Sequence, residues 1–208
     1  MAITAQSIVS AAGITLQDPS VRWPATELIG YMNEGIRALI IARPDALTKK
    51  SAFVPVPGSR QTLPAEVVAF IDIIGNTSGN ERQVTKVDVG LLSAINRDWQ
   101  SSRASASVRH FTYDPRDPYC FYVFPPSTGS GSIDLLYSYF PADLATVVDV
   151  SPLHIQWFSV ILNFVLAKAF SKDAEFGGNA ASAAAYMGAF NAGIGSQLQS
   201  STTVSPKS

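Results

Sequence analysis

Apolar and polar positions alternate with one rhythm near the two ends of the chain and another in the middle. Leu28, Tyr31, Met32, Ile36 and Leu39 recur at spacings of three and four, which predicts a helix with one buried face. It opens near Pro24, whose fixed φ suits the first helical position, and stops at Arg43-Pro44, because a residue before proline is pushed out of the helical region. Upstream, Thr4 predicts the cap of a short helix through Ala12, ended by Gly13. From Ser51 to Phe140 the pattern becomes short β-like runs broken by Pro, Gly and Ser. Ala52 to Val56 and Gln61 to Leu63 flank Pro57-Gly58-Ser59 and predict a hairpin, and Val67 to Ile74 reads as a core strand. Asp88 predicts the cap of a helix over Val89 to Ile95, and strands follow at Val108 to Tyr113, Cys120 to Phe124 and Ile133 to Tyr139.

Ser151 and Pro152 then carry the signature of a cap and first turn, predicting the longest helix, to about Lys172. Its polar stripe of Gln156, Ser159 and Asn163 is narrow, so nearly every side must be covered. A last helix from about Asn179 aligns Ala183, Met187, Phe190, Ile194 and Leu198. The expected fold class is therefore α+β. Its core is a helical bundle of the N-terminal helices and a long C-terminal helix pair, drawn from residues 1–50 and 150–199. An antiparallel β segment with a short helix is inserted over 51–149, and a polar arm, expected to be disordered alone, occupies 200–208.

Composition changes this picture in one respect. The 208 residues are 47% hydrophobic but only 15% charged, against roughly a quarter charged in ordinary soluble domains. Fifteen Lys and Arg against sixteen Asp and Glu give a net charge of -1, which excludes the composition of a disordered chain and lacks the basic footprint of a sequence-reading nucleic-acid binder. So much apolar surface with so little charge points to assembly. The N-terminus carries no signal-peptide pattern, and the most apolar window, Pro152 to Phe170, is interrupted by His154, Gln156, Ser159, Asn163 and Lys168, which favours a buried helix over a membrane span.

Candidate chemistry is sparse. His110 and His154 lie on different elements, no nucleophile elbow or metal-ligand spacing occurs, and Cys120 sits in an apolar run as a structural thiol. Asp114 and Asp117 bracket a proline turn, where aspartate serves local hydrogen bonds, and Asp173 and Glu175 lie in a helix connection. Gly129-Ser130-Gly131 lacks the lysine and helix of a phosphate loop, and Gly177-Gly178-Asn179 needs no ligand as a helix turn. Arg97, Arg103 and Arg109 are too few for a sequence-specific groove. No enzyme, cofactor or metal is expected.

Two stretches carry more information together than singly. Arg22-Trp23-Pro24-Ala25-Thr26-Glu27-Leu28 leads through Tyr31, Asn33 and Gly35 to Arg43-Pro44-Asp45-Ala46, and Ala169-Phe170-Ser171-Lys172-Asp173-Ala174-Glu175 leads to Gly178-Asn179, Tyr186 and Phe190. The pair resembles the head-to-tail adaptor, or connector, proteins of tailed bacteriophages, especially short-tailed ones. A weaker echo runs from Val84 to Trp99. The chain departs from the family at Pro24-Ala25, where Ser or Thr followed by Asp is more usual, and at Ile36, where Gln is common.

The resemblance implies a structural virion protein of the neck or tail, made in the host cytoplasm. It implies a dodecameric ring between portal and tail nozzle that extends the DNA channel and helps retain the packaged genome. The implied partners are further copies of the chain, the portal protein, the nozzle and tail fibres, with double-stranded DNA passing non-specifically and no membrane. A ring needs unlike patches on the two sides of each subunit. Trp157, Phe164 and Phe170 are the candidates for that contact, with burial in the subunit's own core as the competing expectation. By analogy the arm docks on the portal through Leu198, Val204 and Lys207. The family-motif residues are Arg22, Trp23, Asn33, Gly35, Arg43, Pro44, Asp45, Lys172 and Asp173. The alternatives are another neck or tail completion protein of different symmetry and a small hydrolase using Asp114 with Asp117.

Overall fold

Thr4 sets the first turn of the structure by receiving the Ser7 N–H on its side-chain oxygen at 3.1 Å. The computed structural model describes residues 2–18, 21–77, 83–172 and 177–204, without the side chains of Ala2, Gly177 and 196–204. In chain order the elements are β1 (Ala2–Thr4), α1 (Ala5–Leu16), α2 (Ala25–Ala42), β2 (Thr48–Phe53), β3 (Gly58–Thr62), β4 (Val67–Asn76) and β5 (Thr85–Lys86). They continue with α3 (Val89–Ile95), β6 (His110–Thr112), β7 (Cys120–Ser127), β8 (Ile133–Tyr139), β9 (Val150–His154), α4 (Phe158–Lys172) and α5 (Gly177–Val204). The chain divides into two units, Met1–Leu47 with Phe140–Ser208, and Thr48–Tyr139.

In the first unit, α1 does not stop at Gly13. It runs one turn further and ends at Gln17, whose left-handed φ of 52° lets the Gln17 and Asp18 N–H groups reach the carbonyls of Ile14 and Gly13. Helix α2 begins after Pro24 without a side-chain cap. It buries Leu28, Met32, Ile36 and Leu39 as their spacing predicts and breaks at Arg43 into a short 3-10 turn, Pro44–Ala46. Each such aliphatic side chain removed from water contributes about 1.5–3 kcal/mol. Helix α4 is the centre of this unit, packing on α1, α2 and α5. Its buried residues include Val160, Ile161, Val165, Leu166 and Ala169, the near-complete coverage its composition requires.

The α+β class holds, but a helical bundle describes this unit poorly. Ser151-Pro152 does not start a helix: Val150–His154 is strand β9, paired antiparallel with β1, with Thr4 opposite Val150 and Ile3 opposite Ser151. Burial along β9 alternates, with Ser151 and Leu153 inside and Val150, Pro152 and His154 outside. That period of two places proline at an exposed edge position. His154 then caps a 3-10 turn, Ile155–Trp157, through its Nδ1 at 3.3 Å from the Gln156 N–H, and α4 follows. The longest helix is α5, whose 28 residues run through Val204 and so include the first half of the expected arm.

In the second unit the strands form two sheets, ordered β2-β8-β4 and β3-β7-β6-β5. The hairpin expected around Pro57-Gly58-Ser59 is absent, because β2 pairs with β8 and β3 with β7. Pro55 and Pro57 deny the connecting segment two ladder donors. The buried Gln61 side chain holds that segment instead, bonding the Val56 N–H at 2.7 Å and the carbonyls of Val56 and Gly58 at 2.9 and 3.0 Å. The β segment is not purely antiparallel either, since β5 runs parallel to β6. Phe70 stacks on Phe121 at 5.5 Å and meets Phe111 edge-on at 5.7 Å, in a core completed by Ile73, Val123, Ile133, Leu135 and Tyr137. Asp88 caps α3 as predicted, accepting the N–H groups of Gly90 and Leu91. The strand expected to be core, β4, is only half so: Phe70 and Ile73 are buried while Val68, Ile71 and Ile74 are open, across three register shifts against β8.

Candidate functional site

The motif residues of α2 and α4 converge within the first unit, each for a local physical reason. The Asp18 carboxylate accepts the N–H groups of Val21, Arg22 and Trp23, which turns the chain into α2 where Pro24 offers no side-chain cap. Trp23 is buried and donates its indole N–H to the Ala169 carbonyl of α4 at 3.3 Å, and the exposed Arg22 lies over its ring.

One turn on, Glu27 accepts hydrogen bonds from the Lys172 ammonium at 2.7 Å and the Tyr31 hydroxyl at 2.6 Å. These two donors, Lys172 first, hold its carboxyl below the ordinary value, while burial and the neighbouring carboxylate push Tyr31 up to about 12. Lys172 also caps the Arg22 carbonyl, and Lys168 pairs with Glu34 while facing the Tyr31 ring. A depressed folded pKa contributes stability that is present above the unfolded value and lost as pH falls through the folded one. Lys172→Gln is therefore expected to cost about 0.5–1 kcal/mol at neutral pH. That gap from wild type should close as pH falls below the ordinary glutamate value of 4.5, and urea titrations across pH 3–7 check it. A gap independent of pH would place the effect in packing.

Further along α2, Asn33 is buried and satisfies both backbone groups of Leu144, taking its N–H at 3.0 Å and donating to its carbonyl at 2.9 Å. Gly35 makes room for Phe164: a Cβ there would lie 2.9 Å from the Phe164 Cδ1. Phe164 in turn packs edge-on against Phe190 of α5 at 5.0 Å. Gly193 does the same for Val160, whose Cγ2 would sit 2.8 Å from an added Cβ. At the end of α2 the buried Arg43 guanidinium grips Asp45 through Nε at 2.8 Å and Nη2 at 2.5 Å. It also donates from Nη1 to the Ile194 carbonyl of α5 at 3.2 Å and lies over the Trp157 ring. This pairing holds Asp45 below and Arg43 above their ordinary values.

Trp157 and Phe164, candidates for contact with a neighbouring subunit, face the chain's own interior, at 2% and 9% exposure. Their rings fill the space between helices that a narrow polar stripe on α4 could not leave open. Phe170 is half-buried and stacks on Tyr186 of α5 at 5.6 Å. Asp173 and Lys207 lie outside the described residues, as do the side chains of Leu198 and Val204. Sequence reading missed Leu144 and Asp18, whereas Gly193 stands out in the sequence as a helix-weakening glycine that a close neighbour would explain, and Val160 is that neighbour.

Among the described residues of the second unit, Asp114 and Asp117 each face an arginine rather than one another. Asp114 pairs with the Arg116 side chain and accepts its N–H at 2.9 Å, which brings its carboxyl down to about 2, while Asp117 faces Arg60 at 4.0 Å. A carboxyl ionised to that depth has no proton to donate at neutral pH. Beside it lies an open cleft of about 680 Å³, lined in part by Lys86, Asp88, Gln100, Tyr113, Asp114 and Arg116. Cys120 is buried against the Arg60 guanidinium at 3.2 Å. His110 stacks on Phe124, its buried Nδ1 without a partner among the described residues. Among the described residues no three His, Cys, Asp or Glu side chains gather as a metal site, and no helix is long and apolar enough to cross a membrane.

Among the described motif residues, Trp23, Gly35, Arg43 and Lys172 hold helices of one chain together. None of the curated proteins compared matches the chain. The model of the SU10 adaptor protein family matches it over residues 3–207, across both motif stretches, and the chain belongs to that family of structural head-to-tail adaptors of bacteriophages.

Proposed function

We propose that the protein assembles into a closed ring of twelve copies between the portal and the tail nozzle of a short-tailed phage. There it extends the DNA channel and helps retain the packaged genome until ejection. The observation that carries this reading is the family match over residues 3–207, which spans the helical unit and the β-rich unit alike. The role is structural, in the virion neck, with DNA passing through rather than being read. Near-neutral charge suits such a channel, since each neutralised phosphate adds a contact that sliding DNA must break. The arm beyond Gly195 is assigned to the portal, with Leu198, Val204 and Lys207 as its anchors. Phe170, still partly open, remains a candidate for contact between subunits.

The test is assembly. Purified protein mixed with its portal is expected to give particles whose averaged images show a twelvefold ring on the portal, with a mass to match. Deleting residues 196–208 is expected to abolish portal binding and leave the fold intact. A chain that stays monomeric with the portal, or rings of another symmetry, would overturn the reading in favour of a different neck or tail completion protein.

A further inference from the structure

Helix α5 is tied to the first unit from Tyr186 to Ile194. Tyr186 stacks on Phe170 at 5.6 Å, and Phe190 meets Phe164 edge-on at 5.0 Å. Gly193 lets Val160 approach, because a Cβ there would lie 2.8 Å from the Val160 Cγ2. The next main-chain carbonyl, that of Ile194, accepts from the Arg43 Nη1 at 3.2 Å. Gly195 has no comparable reason to be glycine. It is helical and exposed, and nothing lies within 4 Å of a Cβ built on it.

Inside a helix such a glycine costs stability relative to alanine, with no packing in return. One position past a helix end it is the favoured residue, because the chain turns there through a left-handed φ that glycine adopts without strain. Arg43 marks the same boundary. A helix closing at Ile194 takes the helical donors away from its last four carbonyls, those of residues 191–194. A turn through Gly195 returns donors to Asn191 and Ala192. Arg43 already serves Ile194, and its charge lies at the end of the helix dipole that favours a cation. This cap is held from the side of α2, since Asp45 fixes the guanidinium through Nε at 2.8 Å and the Trp157 ring lies 5.8 Å from it. Gly188 is equally free of neighbours, but among the described residues no cation serves the Met187 carbonyl before it. Beyond Gly195, the run Ser200-Ser201-Thr202-Thr203-Val204 consists of weak helix formers, and the ten residues to Val204 are too few to hold a helix alone.

We propose that α5 is built to end at Ile194 and that Gly195 is a hinge, at which the terminal segment turns out of the helix axis when the arm docks on the portal. In the free chain the segment continues the helix to Val204. On docking, Arg43 caps the shortened helix with no rearrangement of its own. The inference rests on the assignment of the arm to the portal and names the device that frees it.

The experiment uses the full-length protein with its portal. Gly195→Ala favours the straight helix and is expected to weaken portal binding about fivefold, the factor by which alanine outweighs glycine inside a helix. Gly188→Ala makes the same change of propensity within the anchored part and is expected to bind as wild type does. Gln197→Pro removes a helical donor and collides with the Gly193 carbonyl, which excludes the straight form, and is expected to bind at least as tightly as wild type. Spin labels on Ala184→Cys and Gln199→Cys, diluted among unlabelled copies, are expected about 22 Å apart along the axis in the free chain and several ångström closer on the portal. The native Cys120 is buried, and wild type serves as its control. An unchanged label distance on the portal, Gly195→Ala binding like Gly188→Ala, or weaker binding by Gln197→Pro would overturn the hinge and leave the docking of the arm intact. Portal binding that survives deletion of residues 196–208 would overturn the assignment of the arm, and the hinge with it.

Discussion

Replacing Gly131 with alanine is expected to destabilise the β-rich unit by about 3 kcal/mol, near the upper range for inserting an atom into packed structure. A Cβ on Gly131 would sit 1.8 Å from the carbonyl oxygen of Ala106 and 2.9 Å from its carbonyl carbon. The obstacle is backbone, so no rotamer change relieves it. Nor can the segment move away freely. The neighbouring Ser105 donates its N–H to the Pro126 carbonyl at 2.8 Å and accepts the Thr128 N–H at 3.1 Å, which pins it to the end of β7. Urea unfolding read by Trp99, the tryptophan of this unit, should show a lowered midpoint. Gly30→Ala is the contrasting control. Nothing lies within 4 Å of a Cβ at Gly30, an exposed position inside α2, so alanine there should gain up to about 1 kcal/mol of helix propensity. If Gly131→Ala were as well tolerated as Gly30→Ala, the close approach of Ala106 would be wrong.

Gly131 also shows how far the sequence could be read. Gly129-Ser130-Gly131 announces a loop between two strands, and the chain has one there. Yet the reason for the second glycine is a carbonyl 25 positions upstream, which no local pattern reveals. Elements whose signals are local came through: Asp88 capping Val89–Ile95, the face of α2, and the strand Ile133–Tyr139. Elements decided by distant pairing did not. Ser151-Pro152 carries a good helix-start signature, but the partner that makes it a strand is β1, at the other end of the chain. The expected hairpin failed in the same way, since both arms had better partners far downstream in β8 and β7.

The motif residues were legible as a set and not as a mechanism. Spacing showed that Asn33 and Gly35 share a helix that stops at Arg43. What they bind, Leu144, Phe164 and Ile194, lies more than a hundred residues away. The excess of apolar residues over charge was legible from composition, and the structure shows where it goes: some is open around α3 and segment 140–156. Which cations meet a carboxylate could not be read from sequence, because pairing depends on which carboxylates the fold brings near.

The second large effect concerns the pair that ends α2. Removing Asp45 is expected to destabilise the protein more than removing Arg43, although the two form a single ion pair. The asymmetry follows from burial: the Arg43 side chain is 6% exposed and that of Asp45 59%. Asp45→Ala leaves a guanidinium in a nearly dry site with, among the described residues, only the Ile194 carbonyl to accept from it, at 3.2 Å. Breaking a buried pair so that a charge stays inside costs about 3–5 kcal/mol, and the exposed partner here places the expected loss near 3. Arg43→Met keeps much of the volume against Trp157, leaves no buried charge, and returns Asp45 to water. Its expected cost is about 1 kcal/mol, the ordinary net worth of a lost hydrogen-bonded contact. Urea midpoints read by Trp23 and Trp157, with the double variant closing the cycle, measure the difference. In that cycle Arg43→Met should rescue most of the damage of Asp45→Ala, since it removes the stranded charge. Equal losses for the two single variants would mean that water reaches Arg43, and that Ile194 and the last ten residues of α5 are not fixed from this point.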